Sequence, residues 1–199
     1  MILSEEDKTS LITKNFLEVK TLQNILSLDV PTFKQERTYW CGPATVKQTV
    51  HFLSNGTNSP TQTQIAGYIG TTTAGSSSTY MANWLASHGY YYYSVSTSSM
   101  TSRDLVNYSA ADLGTYGMPP FGGVAIATSN LRPSGATHGW MYTTGGHFLN
   151  ISELWYMEPN YGDSLIYVSD PYIPWVYPTM SGYFVTANEY MNVITSFWW

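Results

Sequence analysis

The pattern of apolar residues changes at Pro119-Pro120, and this change limits the fold more than any other feature of the chain. Four segments before it have the apolar spacing or terminal signals of helices: GPATVKQTVHFL, TQTQIAGYIG, STYMANWLASHG and TSRDLVNYSAADLG. After it, GGVAIATS, GHFLNISEL and LIYVSDPY predict strands, and GYFVTANEYMNVIT predicts a strand that runs into a helix. Helices followed by an antiparallel sheet predict an α+β domain.

Capping and turn residues set the expected limits of these helices. Thr61 with Gln64, and Thr186 with Glu189, have the spacing of capping boxes, in which each side chain bonds a main-chain N–H of the other residue. The expected helix stops, in chain order, are Asn55-Gly56, Gly89 and Gly114.

Residues 1–30 differ from the rest because they carry much of the charge of the chain. Apolar residues recur there at helical spacing and stop before Pro31: Ile12, Phe16, Val19, Leu22 and Leu26. We therefore expect a helical arm over residues 1–30 that packs on the main domain, or a removable pro-segment. The main domain is predicted to span residues 31–199.

The composition excludes some classes of partner. Charged residues make up 11% of the 199 residues, against about 25% in an average soluble domain. The net charge is −5 and no basic stripe exists, so we expect no nucleic-acid partner. No apolar run approaches the roughly 18 residues that would span a membrane.

The expected location follows from the same composition. Few charges with 17 Tyr and 7 Trp are typical of secreted bacterial proteins. The N-terminal stretch MILSEEDKTSLITKNF is acidic and lacks the basic and apolar regions of a signal peptide. We therefore expect an extracellular or cell-surface bacterial protein whose signal peptide is not in this sequence, and a cytoplasmic location stays open.

Cys41 is the only cysteine, which excludes an intramolecular disulfide and a multi-cysteine zinc site. It lies at the start of a predicted helix, with Pro43 in the first turn. Free main-chain N–H groups and the helix dipole favour a thiolate there, and the thiolate is the nucleophilic form. The alternative reading is a small buried apolar residue.

A nucleophilic cysteine needs a base, and the chain offers four histidines. His51 and His88 are expected to be surface or packing residues of helices. His147 begins a predicted strand after Gly145-Gly146, where small residues leave room for a substrate backbone. We prefer His147 to His138, which lies in a predicted loop.

Two further residues complete the candidate site. Asp170 ends the predicted strand YVSDPY, and a hairpin would bring it to His147; its other reading is a turn former before Pro171. Asp163 is the second candidate, in the expected turn NYGDS. Gln35 and the N–H of Cys41 are candidate donors for an oxyanion.

The order Gln35, Cys41, His147, Asp170 resembles that of papain-like cysteine peptidases. More closely, YWCGPAT, TQTQIAGYIGT, GGHF and YVSDPY resemble the bacteriocin-processing, double-glycine-leader peptidases and their stand-alone C39-like relatives in bacteria. The likeness spans about residues 31–195.

This resemblance implies roles and a fold. It implies Cys41 as nucleophile, His147 as general base and acid, Asp170 as the group that orients His147, and Gln35 as an oxyanion donor. It also implies a helical subdomain with the cysteine, packed on an antiparallel sheet with the histidine and the aspartate. The chain departs from the family in SELWYMEPNYGDS, expected as an extended hairpin that could change the register between His147 and Asp170.

The expected function is a thiol-dependent hydrolase that cleaves a peptide or amide bond in a peptide or protein substrate, without cofactor or metal. Amide transfer or cleavage of a peptidoglycan cross-link is an alternative chemistry. A non-catalytic peptide- or glycan-binding module is the second reading, with GYYYY, PYIPWVYP and FWW as stacking surfaces. A metal enzyme with His138, His147 and Asp170 as ligands is the third.

Overall fold

The structure, a computed structural model, describes residues 25–199. The helices are α1 (Cys41–Leu53), α2 (Gln62–Tyr68), α3 (Ser78–Ser87), α4 (Ser102–Ala111), α5 (Ile173–Val176) and α6 (Ala187–Met191). The strands are β1 (Ile25–Ser27), β2 (Ser94–Val95), β3 (Phe121–Ile126), β4 (Thr144–Trp155), β5 (Leu165–Ser169), β6 (Gly182–Thr186) and β7 (Ile194–Trp198). A π-helical turn follows α4 at Asp112–Tyr116, and 3-10 turns lie at Thr128–Asn130 and Tyr161–Asp163.

The seven strands form one antiparallel sheet in the order β2-β7-β3-β4-β5-β6, and β1 pairs with the end of β4. Helices α1–α3 lie between β1 and β2 in the chain, and α1 packs on β4. The predicted α+β class, with Cys41 in the helical part, is therefore confirmed.

Two apolar clusters hold the layers together. Val46, Ile65 and Leu85 of α1–α3 pack with Phe121 of β3. The second cluster joins α4 and α6 to the sheet and includes Val124, three residues further along β3. Residues an odd number apart face opposite sides of a strand, so the sheet supplies side chains to both clusters.

The capping boxes at Thr61–Gln64 and Thr186–Glu189 are both present. The expected stop at Gly114 is wrong, because Gly114 lies inside the π-helical turn. This turn ends at Gly117, whose left-handed φ of 62° suits glycine and whose N–H bonds the Asp112 carbonyl. The last predicted helix is also too long, since α6 ends at Met191 and β7 follows.

The expected arm over residues 1–30 lies mostly outside the described residues. At its end, Ile25–Ser27 form strand β1 and not a helix, and Leu26 pairs with Leu154 of β4. The Leu28 N–H extends this pairing with a bond of 2.8 Å to the Ser152 carbonyl. Pairing with a distant strand thus overrides the local helical spacing at Leu26. The division of the chain near residue 31 stays a prediction.

Candidate active site

Cys41 is the first residue of α1, as the sequence predicts, and Gly42 lets a loop pack against this helix start. A Cβ at Gly42 would lie only 2.6 Å from the Cβ of Ser76, closer than two such atoms can approach. Glycine is therefore needed where residues 71–76 pass α1. This contact places Thr73–Gly75 beside Cys41, as one wall of a cleft.

Buried polar side chains join α1 to β4. The Thr45 hydroxyl donates to the Phe148 carbonyl at 3.0 Å. Asn150 Nδ2 donates to the Thr45 carbonyl at 3.1 Å and to Gln48 Oε1 at 3.0 Å, and Asn150 Oδ1 accepts from the Thr49 hydroxyl at 3.0 Å. The network fixes the helix that carries Cys41 against the strand that carries His147.

The hairpin of β4 and β5 brings His147 to Asp170. Asn150 pairs with Ser169, so Asp170 follows directly after the paired residues. A register shift between Ile151 and Glu153 absorbs the irregularity expected in the long hairpin, further from the site. The Nε2 of His147 lies 2.8 Å from Asp170 Oδ1, and both side chains are buried.

Asp170 has three further hydrogen-bond donors. The main-chain N–H of Tyr172 donates to Oδ1 at 2.8 Å. The hydroxyls of Tyr142 and Tyr183 both donate to Oδ2, at 2.7 Å and 3.1 Å. With His147, four donors therefore satisfy a carboxylate that has no exposed surface. Such an arrangement stabilises the ionised form.

The charges of Cys41, His147 and Asp170 are coupled. Burial raises the pKa of Cys41, but the hydrogen bond and charge of His147 and the N–H groups of Phe148 and Gly42 outweigh burial and lower it. Burial lowers the pKa of His147, whereas Asp170 and Cys41 raise it to about 10. Burial likewise raises the pKa of Asp170, and the charge and hydrogen bond of His147 bring it below its ordinary value. All three pKa shifts have the same sense: they favour the thiolate, the imidazolium and the carboxylate over the neutral forms.

A cleft of about 270 Å³ opens onto Cys41 and His147. Its walls are the loop at Thr73–Gly75 and the start of β4 with the residues before it. The other residues that line the cleft are Thr38, Tyr39 and Tyr172. A Cβ at Gly146 would meet no atom within 4 Å, so this side of the cleft is open to a ligand.

Gln35 is buried and does not line this cleft. Its main-chain N–H donates to the Pro171 carbonyl at 2.9 Å, and its carbonyl accepts from Trp175 Nε1 at 2.8 Å. Its side-chain Nε2 donates to the Arg37 carbonyl at 2.8 Å. Gln35 is thus fixed to the segment that directly follows Asp170.

The other histidines and Asp163 lie apart from this arrangement. The ring of His51 packs edge-on against Phe33, and His88 packs against Trp84. His138 Nδ1 lies 3.1 Å from Glu189 Oε2, and Asp163 is in a 3-10 turn. Among residues 25–199, no group of three or more His, Cys, Asp or Glu side chains could hold a metal ion.

The hydroxyl donors to Asp170, Tyr142 and Tyr183, are not predicted from the sequence. Tyr142 lies five residues before His147 in a loop without periodicity, and Tyr183 alternates with other residues of β6 like any buried strand residue. No local signal marks either residue. Of the proposed aromatic surfaces, FWW is largely core, since Phe197 and Trp199 are buried.

A cysteine at a helix start, facing a His–Asp pair on an antiparallel sheet, is the architecture of the papain-like cysteine peptidases, as expected from the sequence. A sequence profile of the Peptidase_C39 like family matches residues 27–192. The chain belongs to this family and is a cysteine peptidase by family and fold. The alternative of a non-catalytic binding module is not favoured.

Solved structures show the same fold at low sequence identity. Xylellain, a cysteine protease from Xylella fastidiosa, is 11% identical with a TM-score of 0.61, over 90% of this chain and 86% of that one. The peptidase domain of Streptococcus ComA, a bi-functional ABC transporter in a quorum-sensing pathway, is 14% identical with a TM-score of 0.53, over 85% and 95%. The double glycine motif protease of an AMS/PCAT transporter, solved with its leader peptide, is 13% identical with a TM-score of 0.54, over 86% and 90%.

No curated protein sequence matches the chain. Within residues 25–199, none of the helices has the length and apolar character needed to cross a membrane.

Proposed function

We propose that this protein hydrolyses a peptide or amide bond with Cys41 as nucleophile, His147 as general base and acid, and Asp170 as the group that orients His147. The observation that carries the proposal is that Cys41 and His147 line the same open cleft, with His147 Nε2 2.8 Å from the buried Asp170 carboxylate. A thiolate paired with an imidazolium is the activated form of a cysteine nucleophile.

In this reaction the thiolate attacks the substrate carbonyl carbon, a C–S bond forms, and the carbonyl electron pair moves to oxygen. As the C=O bond forms again, the C–N bond breaks and the amine leaves with a proton from His147. His147 then takes a proton from water, which attacks the thioester and releases the acid and the thiolate.

Two N–H donors are proposed for the oxyanion. The N–H of Cys41 is in the first turn of α1 and therefore has no acceptor within the helix. Gln35 Nε2 carries two N–H groups, and the Arg37 carbonyl accepts one of them, so the second is the proposed donor. The bonds from Gln35 to Pro171 and Trp175 involve its main chain, and its buried side chain does not line the cleft, so the proposed role of Gln35 rests on the resemblance to papain-like peptidases.

The proposed substrate is a peptide or the exposed segment of a protein. The protease of the AMS/PCAT transporter was solved with a leader peptide in place, which supports this class of substrate. A peptidoglycan cross-link is the second substrate to test, because it also presents an amide bond. The extracellular or cell-surface location stays part of the proposal.

The first test is the rate of Cys41 alkylation by iodoacetamide as a function of pH. Since Cys41 is the only cysteine, intact mass reports on this site alone. The wild-type thiol should react well below pH 8, against an ordinary cysteine pKa of about 8.5. His147→Ala should raise the pKa of the thiol, and a thiol pKa higher by 1 lowers the rate on the acid side by about tenfold.

His138→Ala is the matched control, because His138 contacts Glu189 and not the site. It should leave the alkylation profile unchanged. A thiol that reacts only above pH 8, or one indifferent to His147→Ala, contradicts the proposal. A second arm incubates the protein with a peptide library and with peptidoglycan fragments, and cleavage must disappear in Cys41→Ala.

A further inference from the structure

We propose that Tyr142 and Tyr183 are positioning residues that hold the Asp170 carboxylate in the orientation His147 requires. This inference rests on the proposed function of Cys41, His147 and Asp170. Both hydroxyls converge on Oδ2, at 2.7 Å from Tyr142 and 3.1 Å from Tyr183. The other oxygen, Oδ1, is then directed at His147.

The two hydroxyls fix the rotation of the carboxylate. The Asp170 carboxylate can rotate about its Cβ–Cγ bond. Hydrogen bonds to only one of its two oxygen atoms would not prevent all of this rotation. Here Oδ2 receives two donors from different parts of the chain, 28 and 13 residues away, while Oδ1 also accepts the Tyr172 N–H. Rotation of the carboxylate would break at least three of these bonds.

Tyr142 also contacts both members of the His–Asp pair and lines the cleft. Its ring packs edge-on to the His147 ring, with 5.8 Å between centroids, and lies 4.9 Å from the Tyr172 ring. It lines the cleft on the side of His147. Tyr183, in contrast, is buried in β6 and contacts the Trp140 ring at 6.1 Å. One tyrosine therefore supports Asp170 from the cleft and the other from the core.

Both hydroxyls remain donors across the working range of pH. Burial and the charge of Asp170 raise the pKa of Tyr142 and of Tyr183 well above the ordinary value. The titratable or charged groups around this carboxylate are His147, Cys41, the two tyrosines and Arg132, whose charge acts on Tyr183. A hydroxyl that donates to the ionised carboxylate lowers its pKa, and its removal raises that pKa.

The test compares Tyr142→Phe, Tyr183→Phe and the double variant by the pH profile of Cys41 alkylation. Each substitution removes one donor and keeps the ring. The acid limb, the low-pH part of the profile where the rate falls, should move to higher pH in each variant. The shift should be larger for Tyr142→Phe than for Tyr183→Phe, because the Tyr142 hydroxyl is closer to Asp170, and largest in the double variant. A limb that lies one pH unit higher means a rate about tenfold lower on its acid side. Tyr167→Phe, whose hydroxyl contacts Ser181, should leave the limb in place.

A direct measurement separates this inference from the proposed function. The pKa of the Asp170 carboxyl, followed by ¹³C NMR, should rise in both single variants, whether or not the thiol is reactive. An unreactive wild-type thiol would refute the proposed function alone. An unchanged Asp170 pKa in folded Tyr142→Phe and Tyr183→Phe, or a uniform loss of rate at an unchanged acid limb, would refute the positioning role.

Discussion

Asp170 and Asp112 are two buried aspartates whose pKa values are shifted in opposite directions. Asp170 is fully buried and Asp112 is 2% exposed, so burial does not distinguish them. Asp170 has four donors, among them His147, which lower its pKa. Asp112, in the π-helical turn after α4, has an Oδ2 that bonds no described residue, and burial raises its pKa well above the ordinary value. Partners, and not depth, decide whether a buried carboxyl of this protein is charged.

Replacement of Asp170 by asparagine tests the carboxylate that has partners and should have the largest effect on stability. Asp170→Asn removes the charge opposite a buried imidazolium, and breaking a buried pair on one side costs about 3–5 kcal/mol of the free energy of unfolding. The effect should be full near pH 7, because the ionised Asp170 contributes stability above the unfolded pKa of about 3.9. It should fade as the pH falls through the lowered pKa of the folded state.

Urea unfolding of wild type and Asp170→Asn between pH 3 and pH 8 measures this difference. Loss of the acid-shifted thiol reactivity should accompany it. An equal difference at every pH would mean that the aspartate acts by packing and not by charge.

Asn150 extends the comparison to a neutral group with a full set of partners. Asn150→Ala leaves Gln48 Oε1 without its buried donor, whereas the Thr49 hydroxyl and the Thr45 carbonyl keep their bond to each other at 3.1 Å. An unsatisfied buried group costs about 1–3 kcal/mol, so we expect a loss of about 2 kcal/mol in the free energy of unfolding. Chemical denaturation measures it, and Asn192→Ala, at an exposed position after α6, is the control that should change little. A loss below about 1 kcal/mol would show that the helix and the strand stay joined without this network.

The sequence predicts the features that depend on neighbouring residues better than those that depend on tertiary packing. The start of α1 at Cys41, the two capping boxes and the hairpin from His147 to Asp170 follow from neighbours within a few residues or from simple strand pairing. The hydroxyl donors to Asp170, strand β1 and the lone carboxyl of Asp112 do not, because tertiary packing alone determines them. TSRDLVNYSAADLG predicts a helix with Asp112 in it, and the same letters fit an exposed aspartate or a buried one.

Asp112→Asn tests the carboxyl whose Oδ2 bonds no described residue and should have an effect of the opposite sign. In the folded state the neutral form of Asp112 is favoured, so this group contributes stability below its unfolded pKa of about 3.9 and loses it as the pH rises through the raised folded value. Asparagine stays neutral at every pH. The variant should therefore match wild type at pH 4 and exceed it in the free energy of unfolding at pH 8.

The measurement is urea unfolding of both proteins at the two pH values. An Asp112→Asn variant less stable than wild type at pH 8 would mean that the Asp112 carboxylate has a stabilising partner, and the presence of partners would then no longer distinguish Asp170 from Asp112.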